Sequence, residues 1–419
     1  LRVFLDRSLR LGLAFVCMYA SAACAGGPDW RGWHGWASAV PDLEDRGPFH
    51  ANSFETTVSN PATGSELPVV VWYPDETARD GPSAGPFPGI VFSHGFLANP
   101  HLYAGNGQHL ASWGYIVAMP WFASSELAGR VSDAARVLTY LEIELDAPGT
   151  PFQGMVDAGR LGAVGHSLGG LTALVLAARD DRVRAVVATD PVNPPGFAGF
   201  TAWNSREEGK SLSAPALLIG APAQTCNYYG SYERFYPHLA PPHKAKLVVP
   251  DANHCDFMLT GNAAVRDACY RLCRGEYQRS RTVVAARYTV AWLNYYLLGE
   301  LSSYELLYGE SARDDQEAGR VLAQVDTAPL GVTATATGRG IEVAWSATDL
   351  RLVAGYNIYR RSEGHEFSSL PHASVDTVSS YTDTTAHPGG RYHYVVRSRD
   401  AEGNEHEPSI EATAALPDD

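Results

Sequence analysis

The chain has 419 residues, 45% hydrophobic and 19% charged, with a formal net charge of −14. That length allows two or three domains and a large core. An acidic balance with no basic stripe excludes nucleic acid as a partner.

Residues 1–25 read as a secretory signal. Arg2, Arg7 and Arg10 precede the apolar run Leu11–Tyr19, and small residues follow through Gly27. Ala20-Ser21-Ala22 and Ala23-Cys24-Ala25 both fit small-x-small cleavage. Lipid attachment at Cys24 is the lesser alternative, because Ser21 stands where lipoprotein signals usually carry Leu. The apolar run is too short to span a bilayer, and no later run is long enough. The expectation is an exported chain, secreted or periplasmic, with no transmembrane segment after processing.

Residues 26–53 form a leader rich in Trp, Gly and Pro, with Trp30, Trp33 and Trp36. From residue 54 to about 300, short apolar runs alternate with helical periodicity. Phe54–Val58 and Leu67–Tyr73 read as strands joined by a turn through Asn60-Pro61-Ala62-Thr63-Gly64. Gly89–Phe92 and Tyr115–Met119 are further strands, with a helix ending at Trp113 between them. Val131–Ile143 has helical spacing, with Val131, Ala134, Ala135, Leu138 and Leu141 on one face. Arg184–Thr189, Ala216–Gly220 and Ala245–Val249 read as strands, and Thr282–Leu298 as a closing helix. The pattern predicts a mostly parallel sheet covered on both faces by helices, with its site at the carboxyl ends of the strands.

Residues 301–327 are polar and charged and read as a linker. From 328 to 419 the texture changes to short alternating strands, among them Val332–Ala336, Ile341–Trp345, Gly355–Arg360 and Tyr392–Ser398. They predict an all-β sandwich.

The chemistry centres on Gly165-His166-Ser167-Leu168-Gly169-Gly170, set between an apolar strand and an Ala/Leu-rich helix. A strand, a tight turn and a helix expose a serine at the tip, and small flanking residues let strand and helix approach. Such a serine needs a base and an acid, here in the chain order Ser, Asp/Glu, His. Asp190 leaves the end of the next strand. No carboxylate follows the later strand Ala216–Gly220, so Asp190 is the expected acid, with Glu233 and Asp251 as fallbacks. His254 follows the final strand on a loop and is the expected base. His238 and His243 precede that strand among prolines and read as surface residues, and His365 and His372 belong to the sandwich. The oxyanion donors are expected at the backbone N–H groups of Leu168 and Phe96. His94 is a minor candidate for a second base, and His166 reads as a packing residue pointing away from the elbow. This chemistry needs no metal or organic cofactor.

Four cysteines remain after the signal: Cys226, Cys255, Cys269 and Cys273. An even count in an exported chain favours two disulfides over metal binding, with three pairings open. A disulfide at Cys255, with Cys226, Cys269 or Cys273 as partner, would pin the loop of His254.

At these residues the chain resembles the α/β-hydrolase superfamily. Leu67–Pro74, Phe92-Ser93-His94-Gly95-Phe96 and Gly165–Gly170 resemble the branch of chlorophyllases, platelet-activating-factor acetylhydrolases and bacterial cutinases. An acid before Pro191 is similar to the first two, whereas bacterial cutinases place it after the next strand. The tail resembles a fibronectin type III domain, with Trp345, Gly355–Tyr359, Tyr381-Thr382-Asp383 and Tyr392 in the matching places. The resemblance implies an exported serine esterase forming an acyl-enzyme, with small-molecule, lipid-like or polymeric esters as substrates. Polyester hydrolysis and chlorophyll or lipid ester hydrolysis are the narrower alternatives. An amidase or peptidase shares the machinery, and a non-catalytic polymer- or surface-binding protein is the competing class.

Overall fold

The computed structural model describes residues 47–75, 85–122, 126–193, 204–239, 243–300, 302–308, 310–325, 329–346, 353–399, 403, 405–409 and 411–417. The expected signal and the three leader tryptophans lie outside these residues.

Nine strands build one sheet: β1 (His50–Asn60), β2 (Ser65–Asp75), β3 (Phe87–Ser93), β4 (Ile116–Pro120), β5 (Val156–His166), β6 (Val183–Thr189), β7 (Ala216–Gly220), β8 (Lys244–Val248) and β9 (Leu322–Val325). Their order is β1-β2-β4-β3-β5-β6-β7-β8-β9. Pairing is parallel from β4 through β8 and antiparallel at both ends. The principal helices are α1 (Ala104–Ser112), α2 (Leu127–Thr139), α3 (Leu168–Arg179), α4 (Ala263–Cys273), α5 (Arg279–Leu293), α6 (Ser303–Leu307) and α7 (Glu310–Glu317).

Successive side chains of a strand point to opposite faces, and a strand covered twice must be apolar throughout. In β6, Val186 and Ala188 join the core under α2 and α3 with Leu138, Leu171 and Leu174. Ala185 and Val187 join the opposite core under α1 and α5 with Leu110, Tyr288 and Trp292. That explains why the central strands read as unbroken apolar runs.

The stretch 301–327 is not a plain linker. It carries α6, α7 and β9, which pairs antiparallel with β8 as the sheet's last strand. Asp315 of α7 is buried and takes ion pairs from Arg287 and Arg320 and a hydrogen bond from Tyr288 at 2.9 Å. The polar composition hid this docking, because Asp315 is satisfied in part by Arg287 and Tyr288 of α5, 28 and 27 residues earlier. Helix α4 is also unanticipated. Asn262 caps it by accepting a hydrogen bond from Val265 N–H at 3.1 Å. Between β3 and α1, a short 3-10 turn, Pro100–Tyr103, is capped by Asn99 and leads directly into α1.

Beyond the nine-stranded sheet, the remaining strands are β10 (Leu330–Thr337), β11 (Gly340–Ser346), β12 (Gly355–Ser362), β13 (Ala373–Val375), β14 (Ser380–Asp383), β15 (Arg391–Arg399), β16 (Glu405–Pro408) and β17 (Ala412–Ala415). A sheet β10-β11-β14 and a second sheet built around β12 and β15 share one core, with Ile341, Val343, Trp345, Tyr356, Ile358, Tyr394 and Val396 buried between them. This is an antiparallel β-sandwich. Tyr392 O–H accepts from His387 N–H at 3.1 Å, a tyrosine tied to backbone a few residues upstream.

Candidate active site

Ser167 follows β5 and immediately precedes α3, with φ 59° and ψ −125°. A non-glycine residue holds that conformation only when its surroundings enforce it. Here Ser167 N–H donates to Thr189 O at 3.0 Å, and Ser167 O accepts from Val192 N–H at 3.2 Å. The flanking glycines are sterically required. A Cβ on Gly165 would lie 2.2 Å from Gly169 O, and one on Gly169 would lie 1.9 Å from Ser93 O. Strand, elbow helix and the loop after β3 thus meet with no room for side chains.

Asp190 follows β6 with φ 41° and is 0% exposed. Its Oδ1 accepts from Ala221 N–H and from Asn227 Nδ2, each at 3.2 Å. His254 donates from Nδ1 to Asp190 Oδ2 at 2.6 Å. A buried carboxylate needs such partners to stay satisfied. With Nδ1 committed to the acid, Nε2 is the ring nitrogen left to take a proton. Among the fallbacks, Glu233 pairs with Lys246 and Asp251 is exposed.

The loop of His254 is built as a short 3-10 turn, His254–Phe257, after β8. Asn253 caps it, accepting from Cys255 N–H at 3.1 Å, and Asp256 reaches back to accept from Asn253 N–H at 2.6 Å. Tyr270 O–H donates to the other oxygen of Asp256. Burial pushes the Asp256 carboxyl above its ordinary range, against the pull of these donors.

The disulfides are Cys255–Cys269 and Cys226–Cys273. Both end on α4. One holds the residue after His254, and the other holds the residue before Asn227, the donor to Asp190. Three of these sulfurs cluster, but each is in a disulfide. Replacing Cys255 and Cys269 by serine removes a link across 14 residues. The chain-entropy cost is about 3 kcal/mol, so Tm is expected to fall by roughly 6–12 °C in differential scanning calorimetry. An unchanged Tm would show that the hydrogen bonds of Asn253 and Asp256 already fix the loop.

Leu168 opens α3, where an N–H has no intrahelical acceptor. Phe96 lies in the loop after β3, and a Cβ on Gly95 would sit 3.4 Å from the Ser167 Cβ. This loop is held by its peptides. His94 Nδ1–H donates to Gly95 O at 2.8 Å, and Phe122 N–H donates to His94 Nε2 at 3.2 Å. Both ring nitrogens are used, and burial with Arg130 nearby drives the His94 pKa well below its ordinary value. His94 is therefore a neutral structural residue. A trans peptide sets its C=O and N–H antiparallel, so holding Gly95 O aims Phe96 N–H away from the His94 ring.

His166 does more than pack. Gly95 N–H donates to Tyr103 O–H at 3.2 Å, Tyr103 O–H donates to His166 Nδ1 at 2.7 Å, and His166 Nε2–H donates to His254 O at 2.9 Å. This chain ties the loop of Phe96, the elbow and the loop of His254 together. Tyr103→Phe keeps the ring and strands Gly95 N–H and His166 Nδ1. The expected cost is about 1–3 kcal/mol of stability, with kcat lowered and KM little changed. Thermal denaturation and steady-state kinetics read both; wild-type values would reduce Tyr103 to a packing residue.

The sequence reading missed Asn227, Tyr103 and Arg130. Only Arg130 carried a local signal, a cation on the apolar face of a helix, four residues before Ala134. The surface reading of His243 is also wrong. It is buried, and burial lowers its pKa to about 4.

Residues 39–315 match the chlorophyllase family. The chain belongs to that family. This chlorophyllase-family chain is 29% identical over 235 residues to a bis(hydroxyethyl) terephthalate hydrolase of Streptomyces coelicolor, covering 56% of this chain and 68% of that protein. It is 26% identical over 300 residues to Chlorophyllase-1 of Arabidopsis thaliana, covering 62% of this chain and 87% of that protein. It is 26% identical over 186 residues to Cutinase est1 of Thermobifida alba, covering 44% of this chain and 56% of the cutinase. With this family and these relatives, the chain is a carboxylic ester hydrolase of the α/β-hydrolase fold. No described helix is long and apolar enough to cross a membrane.

Proposed function

We propose that the chain is an exported serine esterase with Ser167, His254 and Asp190 as its triad. The reading rests above all on the Asp190–His254 pair, 2.6 Å apart at the strand edge where Ser167 stands in its constrained elbow. His254 Nε2 takes the Ser167 proton as Oγ attacks the ester carbonyl, and Asp190 stabilises the imidazolium. The N–H groups of Leu168 and Phe96 hold the carbonyl oxygen as it becomes negative. Collapse expels the alcohol, which takes the proton from His254. Water, deprotonated by the same histidine, then releases the acid from the acyl-enzyme.

The names of the relatives favour esters over amides and extend the substrate panel to aromatic diesters and polyesters. Residues 1–25 and the two disulfides support export to an oxidising compartment. The sandwich, with Trp345 buried and Tyr392 tied to His387, fits a fibronectin type III-like domain serving as a spacer or surface contact.

The test is labelling with a fluorophosphonate and peptide mapping, run beside p-nitrophenyl esters from acetate to palmitate and bis(hydroxyethyl) terephthalate. Labelling at Ser167 with turnover of at least one ester is expected. A short-chain optimum indicates a small acyl pocket, and a long-chain optimum a lipid-like substrate. A folded protein that neither turns over nor labels would overturn the reading in favour of a binding protein.

A further inference from the structure

Arg130 lies in the first turn of α2 and is 2% exposed. Among the described residues it forms no ion pair with a carboxylate. Asp133, on the next turn, favours the cation through space without touching it, and gives its Oδ1 to Asn60 at 2.7 Å and Thr63 at 2.9 Å. Burial lowers the guanidinium pKa to about 9, so it is still a cation at neutral pH. A cation with no carboxylate in contact is costly to bury. The same helix face carries Val131, Ala134, Val137 and Leu138, so an apolar side chain would fill the position without that cost.

What the guanidinium touches accounts for it. Nη2 donates to His94 O, two residues before Phe96. Nε donates to Thr172 Oγ1 at 3.3 Å, and Thr172 Oγ1 donates to Leu168 O at 2.8 Å. The guanidinium carbon sits 4.2 Å from the ring centroid of Phe122, whose N–H holds His94. One cation therefore reaches both backbone segments assigned as oxyanion donors. Where these segments meet, Gly169 and Ser93 approach too closely for any side chain to lie between them.

We infer that Arg130 is a positioning residue for the oxyanion site. It clamps the loop of Phe96 to the helix of Leu168 and sets a fixed positive charge behind both donors. A charge held in a dry site stabilises a developing anion without reorganising at the moment of reaction. Gly95 N–H is held by Tyr103 while His94 O is held by Arg130, so the peptide between them is fixed at both ends. The inference rests on the triad and oxyanion assignment proposed above.

The experiment uses the full chain with its disulfides intact. Arg130→Met, Arg130→Gln and Arg130→Lys are compared with wild type for kcat and KM on p-nitrophenyl acetate. Inhibition by phenylboronic acid, which forms a tetrahedral anion on an active serine, is measured alongside. Circular dichroism and Tm report folding. In Arg130→Met, kcat is expected to fall about 100-fold and boronate affinity at least about tenfold, with KM within about threefold. Arg130→Lys restores the charge and is expected to recover about tenfold of the kcat loss.

A folded Arg130→Met variant with wild-type kcat and boronate affinity overturns the inference. So does Arg130→Lys no better than Arg130→Met, which is the signature of packing alone. If Arg130→Met does not fold, Arg130→Gln is read against the same thresholds. If neither neutral variant folds, Arg130→Lys decides: boronate affinity within about tenfold of wild type supports the charge, and complete loss overturns it. Ser167→Ala run in parallel separates the two levels. If it stays active, the triad reading falls. If it is inactive while Arg130→Met equals wild type, only the Arg130 inference falls.

Discussion

Ser167→Ala is expected to lower ester turnover by about 10⁴- to 10⁶-fold and to abolish fluorophosphonate labelling, with the fold intact. Alanine keeps the Cβ that faces Gly95 and the backbone bonds to Thr189 and Val192, so the elbow has no reason to open. Only the attacking oxygen is lost. Activity against p-nitrophenyl acetate, corrected for spontaneous hydrolysis, is the measurement, with Tm as the control. The residual rate is informative, because donors that stay in place still bind the oxyanion for attack by water. Turnover within tenfold of wild type would remove Ser167 from the reaction and the triad with it.

Asp190→Asn is expected to lower kcat by about 10⁴-fold at neutral pH while KM changes little. The reason is the fixed polarity of its surroundings. Oδ1 faces two donors, Ala221 N–H and Asn227 Nδ2, so an amide at 190 must put its oxygen there. Its NH₂ then faces His254 Nδ1, now 2.6 Å from a carboxylate oxygen. The imidazole must accept at Nδ1 and carry its proton on Nε2, the wrong tautomer for taking a proton from serine. Asp251→Asn is the control and should leave kcat unchanged, since Asp251 is exposed. A large loss in Asp251→Asn with little loss in Asp190→Asn would move the acid.

Much of this protein was legible in its sequence because the signals are local. A strand covered on both faces must be apolar at every position, so β3 through β7 stood out as short apolar runs. The elbow needs Gly165 and Gly169 within five residues of chain, where the backbone of strand and helix collide with any side chain. Asp190 and His254 were marked by their places just beyond strand ends, and the four cysteines by their even number. Alternation alone separated the β-sandwich from the hydrolase sheet.

Partners distant along the chain were decided only by the tertiary structure. Composition cannot show that Asp315 is buried against Arg287 and Tyr288 of α5, which turns an apparent linker into the sheet's last layer of helix and strand. It cannot choose among three disulfide pairings, because the choice depends on where α4 lies. Nor can it tell that His166, Tyr103 and Asn227 carry hydrogen bonds between loops 60 to 90 residues apart or hold the acid 37 residues away. Period and motif record what each residue does to its neighbours along the chain. Satisfying a buried polar atom depends on what folding brings beside it, and in this protein those atoms hold the loops that carry Ser167, Asp190 and His254.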